Sequence, residues 1–245
     1  MNGDDVGDVD LERALSDLGP FAAAQLHEPS TTPAPGWEPM ASLRDPGRLT
    51  ARIGAVREAL CLQALHPVGA RVAASVTQLG LAARVLAPVI ALRALGLSTN
   101  PRLDDVWWQD LLGGPVPLSL PRPVQRPAPQ PTSGTRHTLD LPTRGPVPPA
   151  VEELTTLVLD TTGLSPRIAW GNLASGINSA AGIIGATRPD LHAATAAAAD
   201  ALLADPRLDG GALRVGPGFR RRSCCQIYRI AGDRAAACGD CVLTP

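Results

Sequence analysis

The chain has 245 residues with 22 basic and 23 acidic side chains, which gives a formal net charge of −1. This balance predicts no nucleic-acid partner, because nucleic-acid-binding domains usually carry a clear basic excess. The acidic amino terminus predicts no signal peptide, and no apolar run reaches about 18 residues without a charged or polar break, so no membrane span is expected. We therefore expect a cytoplasmic protein, whose thiols stay reduced.

Apolar residues make up 44% of the chain, whereas aromatic residues make up only 3%. A core built from alanine, leucine, valine and isoleucine favours closely packed helices, so we predict a mainly α fold with a minor β component (α+β). Prolines crowd the middle of the chain, where they resist helix formation. We predict two helical lobes, 1–112 and 150–219, joined by a proline-rich connection at 113–149 and followed by a cysteine-rich tail at 220–245, with residues 1–10 disordered.

In chain order, the amino-terminal lobe contains two clear helical patterns, at 50–66 and 68–95. The second is apolar on most sides, which is typical of a central helix, and Pro88 lies inside it. Cys61 lies beside the apolar face of the first helix and is expected to be a small buried residue, not a metal ligand. A short helix carrying a tryptophan pair is predicted at 103–112.

The proline-rich connection contains two stretches of alternating apolar and polar residues, at 116–120 and 138–141. Because proline cannot donate to a strand ladder, we predict that these stretches are edge strands of a small sheet, or else part of an extended connection. In the tail, residues 225–230 have β character. Helices are predicted in the second lobe at 150–162, at 166–184 and at 190–204.

The tail holds four of the five cysteines, with the spacing C-C-x12-C-x2-C. Thiolates are soft ligands that select iron–sulfur clusters, zinc or copper(I). Structural zinc sites usually separate paired ligands by two to four residues, so the adjacent pair fits zinc poorly and favours a [2Fe–2S] cluster. Zinc and a disulfide or redox-only arrangement remain the alternatives. The predicted metal ligands are Cys224, Cys225, Cys238 and Cys241.

Three stretches of the sequence resemble one family, the FhuF-type ferric-siderophore reductases. The most specific is R-x-S-C-C-x-x-Y-R, from Arg221 to Arg229, followed by C-G-D-C. The element W-G-N-x-A begins at Trp170, and a third similar stretch covers 73–92. The resemblance therefore reaches from about residue 60 to the end of the chain. One departure is the spacing of twelve residues inside the cysteine motif, where the family usually has about ten.

The resemblance implies an iron–sulfur ferric-siderophore reductase of iron uptake, in which a [2Fe–2S] cluster gives one electron to chelated Fe(III) and so releases Fe(II). The chain has no G-x-G-x-x-G motif after a strand, so an external electron donor, such as a reductase or a ferredoxin, is expected. Two other functions remain open: a zinc-stabilised structural or interaction protein, and an iron–sulfur electron carrier.

A siderophore site needs walls from a body larger than the tail. We expect a cleft between the two lobes, lined by the starts of the similar helices at 68 and 166 and facing the cluster. The alternative for the tryptophan and the asparagine of W-G-N-x-A is simple packing of the second helix. No catalytic residue separate from the cluster is expected. The candidate substrate-binding residues are Arg71, Trp170, Asn172 and Arg222.

Overall fold

The computed structural model of the chain describes residues 3–29, 31–64, 66–125, 146–231, 239–240 and 242. Within these ranges the protein is mainly α-helical with a minor β component, which confirms the predicted fold class. The α-helices are α1 (Gly3–Asp17), α2 (Pro46–Gln63), α3 (Ala70–Ala94), α4 (Pro149–Thr162), α5 (Pro166–Thr187), α6 (His192–Leu203) and the single turn α7 (Tyr228–Ala231).

The centre of the fold is the contact between α3 and α5. The Nδ2 atom of Asn172 donates to the carbonyl oxygen of Ser75 at 3.1 Å. One turn further along α5 and two turns further along α3, Gly176 faces the backbone of Ala83. Because the residue numbers rise together on both helices, α3 and α5 run parallel. Their amino-terminal ends therefore lie at the same end of the molecule.

The helix α3 is long and apolar enough to cross a membrane by length and composition alone, with a mean hydropathy of 1.6 over its best window. However, 78% of that window is buried inside the protein, as in the core helix of a globular fold. The predicted single long helix with Pro88 inside is confirmed, and its burial agrees with a central position.

One hydrophobic core contains residues from both sides of the proline-rich connection. Leu86 and Ile90 of α3 belong to the same cluster as Leu154 of α4 and Leu173 of α5, and all four are fully buried. The boundaries that the sequence suggested for two lobes and a tail stay a prediction. The structure adds that the helices of the two proposed lobes share this core.

A small sheet covers one part of the helical core. Its strand order is β1-β5-β4-β2, with β1 and β5 parallel and the other two pairs antiparallel, and β3 and β6 form a separate antiparallel pair. The strands are β1 (Gln25–His27), β2 (Glu38–Pro39), β3 (Leu97–Ser98), β4 (Trp107–Trp108), β5 (Leu118–Pro121) and β6 (Val124–Gln125).

The strand predicted at 116–120 is present as β5, but it is not an edge strand. It lies between β1 and β4, and Leu118, Ser119 and Leu120 are all buried. The proline that suggested an edge, Pro121, ends the strand, where a missing N–H group is tolerated. The second predicted strand, at 138–141, lies outside the described residues.

Two local predictions are wrong. The tryptophans at 107 and 108 form strand β4, not a helix, in keeping with the strand preference of aromatic residues. The disorder expected at 1–10 stays a prediction, although the backbone from Gly3 onward belongs to α1. The residues from Tyr228 onward form the helical turn α7, where β character was expected, and this turn lies against α2.

Cys61 is exposed, so the prediction that it lies in the core is wrong. The core-facing residues of α2 are in its first half, and Cys61 belongs to the last turn, which projects from the core. Its sulfur accepts a hydrogen bond from the backbone N–H of Val68 at 3.4 Å.

A buried arginine, Arg84, ties α3 to the polypeptide around the sheet. Its Nε donates to the carbonyl oxygen of Val116 at 2.7 Å, its Nη2 to that of Ala23 at 2.8 Å, and its Nη1 to that of Phe21. Burial lowers the pKa of Arg84 to about 10, so the side chain is still charged at neutral pH.

We expect Arg84→Met to lower the free energy of unfolding by about 2–4 kcal/mol, because three carbonyl groups lose their donor at once. Urea unfolding followed by circular dichroism measures this loss. The matched control is Arg71→Met on the same helix, which is exposed and should change stability by less than about 0.5 kcal/mol. Equal effects of the two substitutions would contradict the anchoring role of Arg84.

Candidate metal centre

The first predicted ligand pair lies just before α7. Cys225 is 2% exposed and Cys224 is half-buried. Cys238 and Cys241 lie outside the described residues, although the two residues between them, at 239 and 240, are described. With only two of the four predicted ligands described, no group of three potential metal ligands is found in the described ranges, and the convergence of all four stays a prediction.

The residues between the second cysteine pair are anchored close to the first pair. The backbone N–H of Arg221, three residues before Cys224, donates to the carbonyl oxygen of Asp240 at 3.1 Å. The Nδ2 atom of Asn178, on α5, donates to the Asp240 carboxyl at 3.2 Å. Burial raises the pKa of Asp240, while hydrogen bonds from Ser175 and Asn178 and the charge of Arg221 act in the opposite direction.

The first pair is held by the contact between α3 and α5. The hydroxyl of Ser75 donates to the carbonyl oxygen of Cys225 at 3.0 Å. Asn172 donates through Nδ2 to that same hydroxyl at 3.0 Å and to Oε1 of Gln78 at 3.0 Å. Asn172 is therefore buried inside the helix contact, with no surface open to a ligand, and its amide fixes the position of Ser75.

Arg221 joins the residues around the first cysteine pair, 223–226, to α5; we call these residues the cysteine segment. Its Nη2 donates to Oδ1 of Asn172 at 2.9 Å and to the hydroxyl of Ser223 at 3.2 Å, and its Nη1 donates to the hydroxyl of Ser175 at 3.3 Å. The residue is 1% exposed. Two motifs that are about fifty positions apart in the sequence, W-G-N-x-A and R-x-S-C-C, thus form one interface.

Gly171 makes this interface sterically possible. A Cβ atom at this position would lie 2.1 Å from Oγ of Ser223 and 3.1 Å from Nη2 of Arg221. The first distance is too short for any Cβ atom and the second is tight, so a side chain here would displace Ser223, and glycine lets the cysteine segment lie this close to α5.

The backbone at the first pair presents an N–H group to a sulfur atom. Gln226, directly after the pair, has a φ of +66°, a conformation uncommon for residues other than glycine. In this conformation its N–H donates to Sγ of Cys224 at 3.3 Å. Hydrogen bonds to ligand sulfur atoms are a normal feature of iron–sulfur sites. The adjacent thiols, this N–H group and a buried cation nearby fit a [2Fe–2S] cluster.

A cleft of about 320 Å³ opens between α3 and α5 and ends at the cysteine segment. Its walls come from the middle of the two helices, not from their starts as predicted. The reason is that the contacts of Ser75 and Asn172 fill the space between the second turns of the two helices. The lining residues that decide its chemistry are the apolar Val76, Leu79, Ala83 and Ile183 and, on the side of the cysteine segment, Arg221 and Cys225.

The other candidate substrate residues do not line this cleft. Arg71 is exposed on the first turn of α3. Trp170 is half-buried and is covered by the guanidinium of Arg207, 4.4 Å from the ring centroid. Arg222 is exposed, and its backbone N–H donates to Asp209 at 3.2 Å. Substrate contact by any of the three stays a prediction.

Sequence reasoning missed the residues that hold the cysteine segment. Ser75 carried no signal, because one serine in an apolar helix does not reveal a partner 150 residues away. Arg221 stood in the motif, yet nothing distinguished it from the arginines on either side. Gly171 stood in W-G-N-x-A. A glycine inside a helix lowers helix stability, so its presence there was a signal of close packing against another segment.

We expect Gly171→Ala to displace the cysteine segment and to reduce cluster content, because the new methyl group overlaps Ser223 and Arg221. Iron analysis and visible absorbance of the purified variant measure this loss. The control is Gly182→Ala on the same helix, where a Cβ atom meets nothing within 4 Å. That change should keep the cluster and raise stability by up to about 1 kcal/mol through helix propensity. A full cluster in Gly171→Ala would disprove the steric argument.

Replacing Cys224, Cys225, Cys238 or Cys241 singly by Ala should remove or strongly destabilise the cluster, since each change leaves one iron with one thiolate ligand fewer. Cys61→Ala is the control and should leave the visible spectrum intact. Iron content and absorbance of the five variants, with circular dichroism to check the fold, decide the result. Bleaching in folded Cys61→Ala would contradict the assignment of the four ligands.

Comparison with known proteins supports the resemblance at the cysteine motif. Residues 221–243 match the family model described as the FhuF 2Fe–2S C-terminal domain. A search of curated proteins finds no match, and neither does a search of solved structures. The matched range includes all four cysteines, which confirms the resemblance at this motif, whereas the stretches 73–92 and W-G-N-x-A lie outside it. Residues 221–243 are therefore similar to the FhuF 2Fe–2S C-terminal domain, and a [2Fe–2S] cluster is the cofactor.

Proposed function

We propose that the protein is a ferric-siderophore reductase, which uses the [2Fe–2S] cluster to transfer one electron to chelated Fe(III). The observation that carries the proposal is the position of Cys225, a predicted ligand within the matched range, in the wall of the cleft between α3 and α5. A ligand that enters this cleft lies directly against the cysteine segment.

When bound, the cluster would supply one-electron transfer to chelated Fe(III). Siderophores hold Fe(III) through hard oxygen donors and hold Fe(II) far less tightly, so reduction releases the metal. The chain itself positions the partners. Ser75 and Gln226 fix the backbone of the first cysteine pair, and mainly apolar side chains form the cleft beside it. An external donor restores the electron.

The cleft also indicates which part of a siderophore it accepts. Its volume is at the low end of the roughly 300–1,000 Å³ found for small-molecule pockets, which is too small for a whole ferric chelate. Its walls are mainly apolar, with Arg221 and Asp240 beside Cys225 in the lining. We infer that an apolar arm of the siderophore enters the cleft and so holds the chelate beside the cysteine segment. Reduced thiols and released Fe(II) both suit a cytoplasmic location.

Anaerobic titration of the reduced protein with hydroxamate, catecholate and carboxylate ferric siderophores tests the proposal. For at least one class, we expect the cluster to reoxidise with one Fe(II) trapped per electron lost, because Fe(III) is the acceptor. The Ga(III) form of the same siderophore is redox-inert and should cause no reoxidation. A colourless protein that binds zinc, or a reduced cluster that no ferric siderophore oxidises, would contradict the proposal.

The same assay tests the cleft. Ser179→Leu, at an exposed position in the α5 wall, narrows the cleft without entering the α3–α5 contact, so it should slow reoxidation by the preferred siderophore while cluster content stays full. Ala186→Leu, at an exposed position near the end of α5, is the matched control and should leave the rate unchanged. Equal rates in both variants would place the docking site elsewhere.

A further inference from the structure

Three consecutive arginines precede the cysteine pair, and the structure separates one of them from the others. Arg220 and Arg222 are exposed, whereas Arg221 is 1% exposed and is among the largest fully buried side chains described. Its guanidinium lies between α5 and the cysteine segment, in the space that Gly171 leaves open. The same formal charge is therefore exposed at two positions and buried inside the protein at the third.

The partners of the Arg221 guanidinium are neutral. They are the amide oxygen of Asn172, the hydroxyls of Ser175 and Ser223, and, at 3.4 Å, the carbonyl oxygen of Ile168. Its Nε is buried and has no hydrogen-bond partner among the described residues. In the described part of the chain no carboxylate forms an ion pair with it. Its charge acts to lower the pKa of Asp240, against the larger effect of burial. Asp233 lies outside the described residues.

A buried cation with only neutral partners is costly unless a negative charge lies nearby. The thiolate-bound cluster is such a charge, and both described predicted ligands are close to the guanidinium in its contacts. Arg221 donates to Ser223, which directly precedes Cys224. It also donates to Asn172, which orients the Ser75 hydroxyl that donates to the carbonyl oxygen of Cys225.

We propose that Arg221 is the buried counter-charge of the cluster and that it raises the reduction potential of the cluster. Uptake of one electron makes the cluster one unit more negative, and a cation in a low-dielectric surrounding stabilises that more negative state. Arg222, one position nearer to Cys224 in the chain, contributes little because its charge is solvated and screened. The inference rests on the presence of the cluster and does not require that the protein reduces siderophores.

The test is the midpoint potential of Arg221→Gln, read from the visible absorbance of the cluster in a spectroelectrochemical titration. We expect the equilibrium to shift at least tenfold toward the oxidised form, which is about 59 mV for a one-electron couple, to a more negative potential. Arg222→Gln removes the same charge from an exposed position and should shift the equilibrium less than about threefold. Equal shifts in the two variants, or no shift in either, would overturn the proposal.

Two further variants separate charge from hydrogen bonding and keep the test decisive if Arg221→Gln loses its cluster. Arg221→Lys keeps the charge and should stay near the wild-type potential. Asn172→Asp keeps the shape and the Oδ1 acceptor but replaces the Nδ2 donor to Ser75 and Gln78 by a second carboxylate oxygen. It adds a negative charge beside the guanidinium, so it should lower the potential, and circular dichroism checks that the fold is kept. A potential in Arg221→Lys as low as in Arg221→Gln, or an unchanged potential in Asn172→Asp, would show that charge is not the cause. These potentials can be measured whether or not any ferric siderophore is reduced.

Discussion

The contact of Asn172 with Ser75 and Gln78 is the interaction on which the rest of the site depends. It joins the two longest buried helices, α3 and α5, at residues 97 positions apart in the chain. The oxygen of the same amide accepts from Arg221, while its nitrogen donates to α3. Because one side chain uses both ends of its amide, the register of the helices and the position of the cysteine segment are fixed together.

The network tolerates little change, since its polar atoms are buried and depend on one another. Gly171 sets the distance between α5 and the cysteine segment, and Arg221 fills the space that results. Burying an arginine costs free energy unless its charge is compensated. A purely structural tie could have been made from neutral side chains, whereas a cation at this place suits a site that gains negative charge on reduction.

Local pattern was enough to predict the long apolar helix α3, the helices α4 and α5 and the family resemblance of the cysteine motif, because each depends on neighbouring residues in the chain. It failed where distant contacts decide. The tryptophans of β4 pair with strands on both sides, and Cys61 became exposed because α2 packs through its first half. Likewise, three consecutive arginines are equivalent in sequence, and only packing against α5 distinguishes Arg221 from the other two.

The cysteine segment and the cleft share a boundary, and this has consequences for function. Three residues belong both to the anchoring contacts and to the lining of the cleft: Ser175, Arg221 and Cys225. A change at these positions therefore alters cluster environment and ligand access together, and a lower rate there cannot be assigned to either one. Ser179, an exposed residue in the α5 wall of the cleft, takes part in none of these contacts. Rate changes at Ser179 report on docking, whereas potential changes at Arg221 report on the cluster.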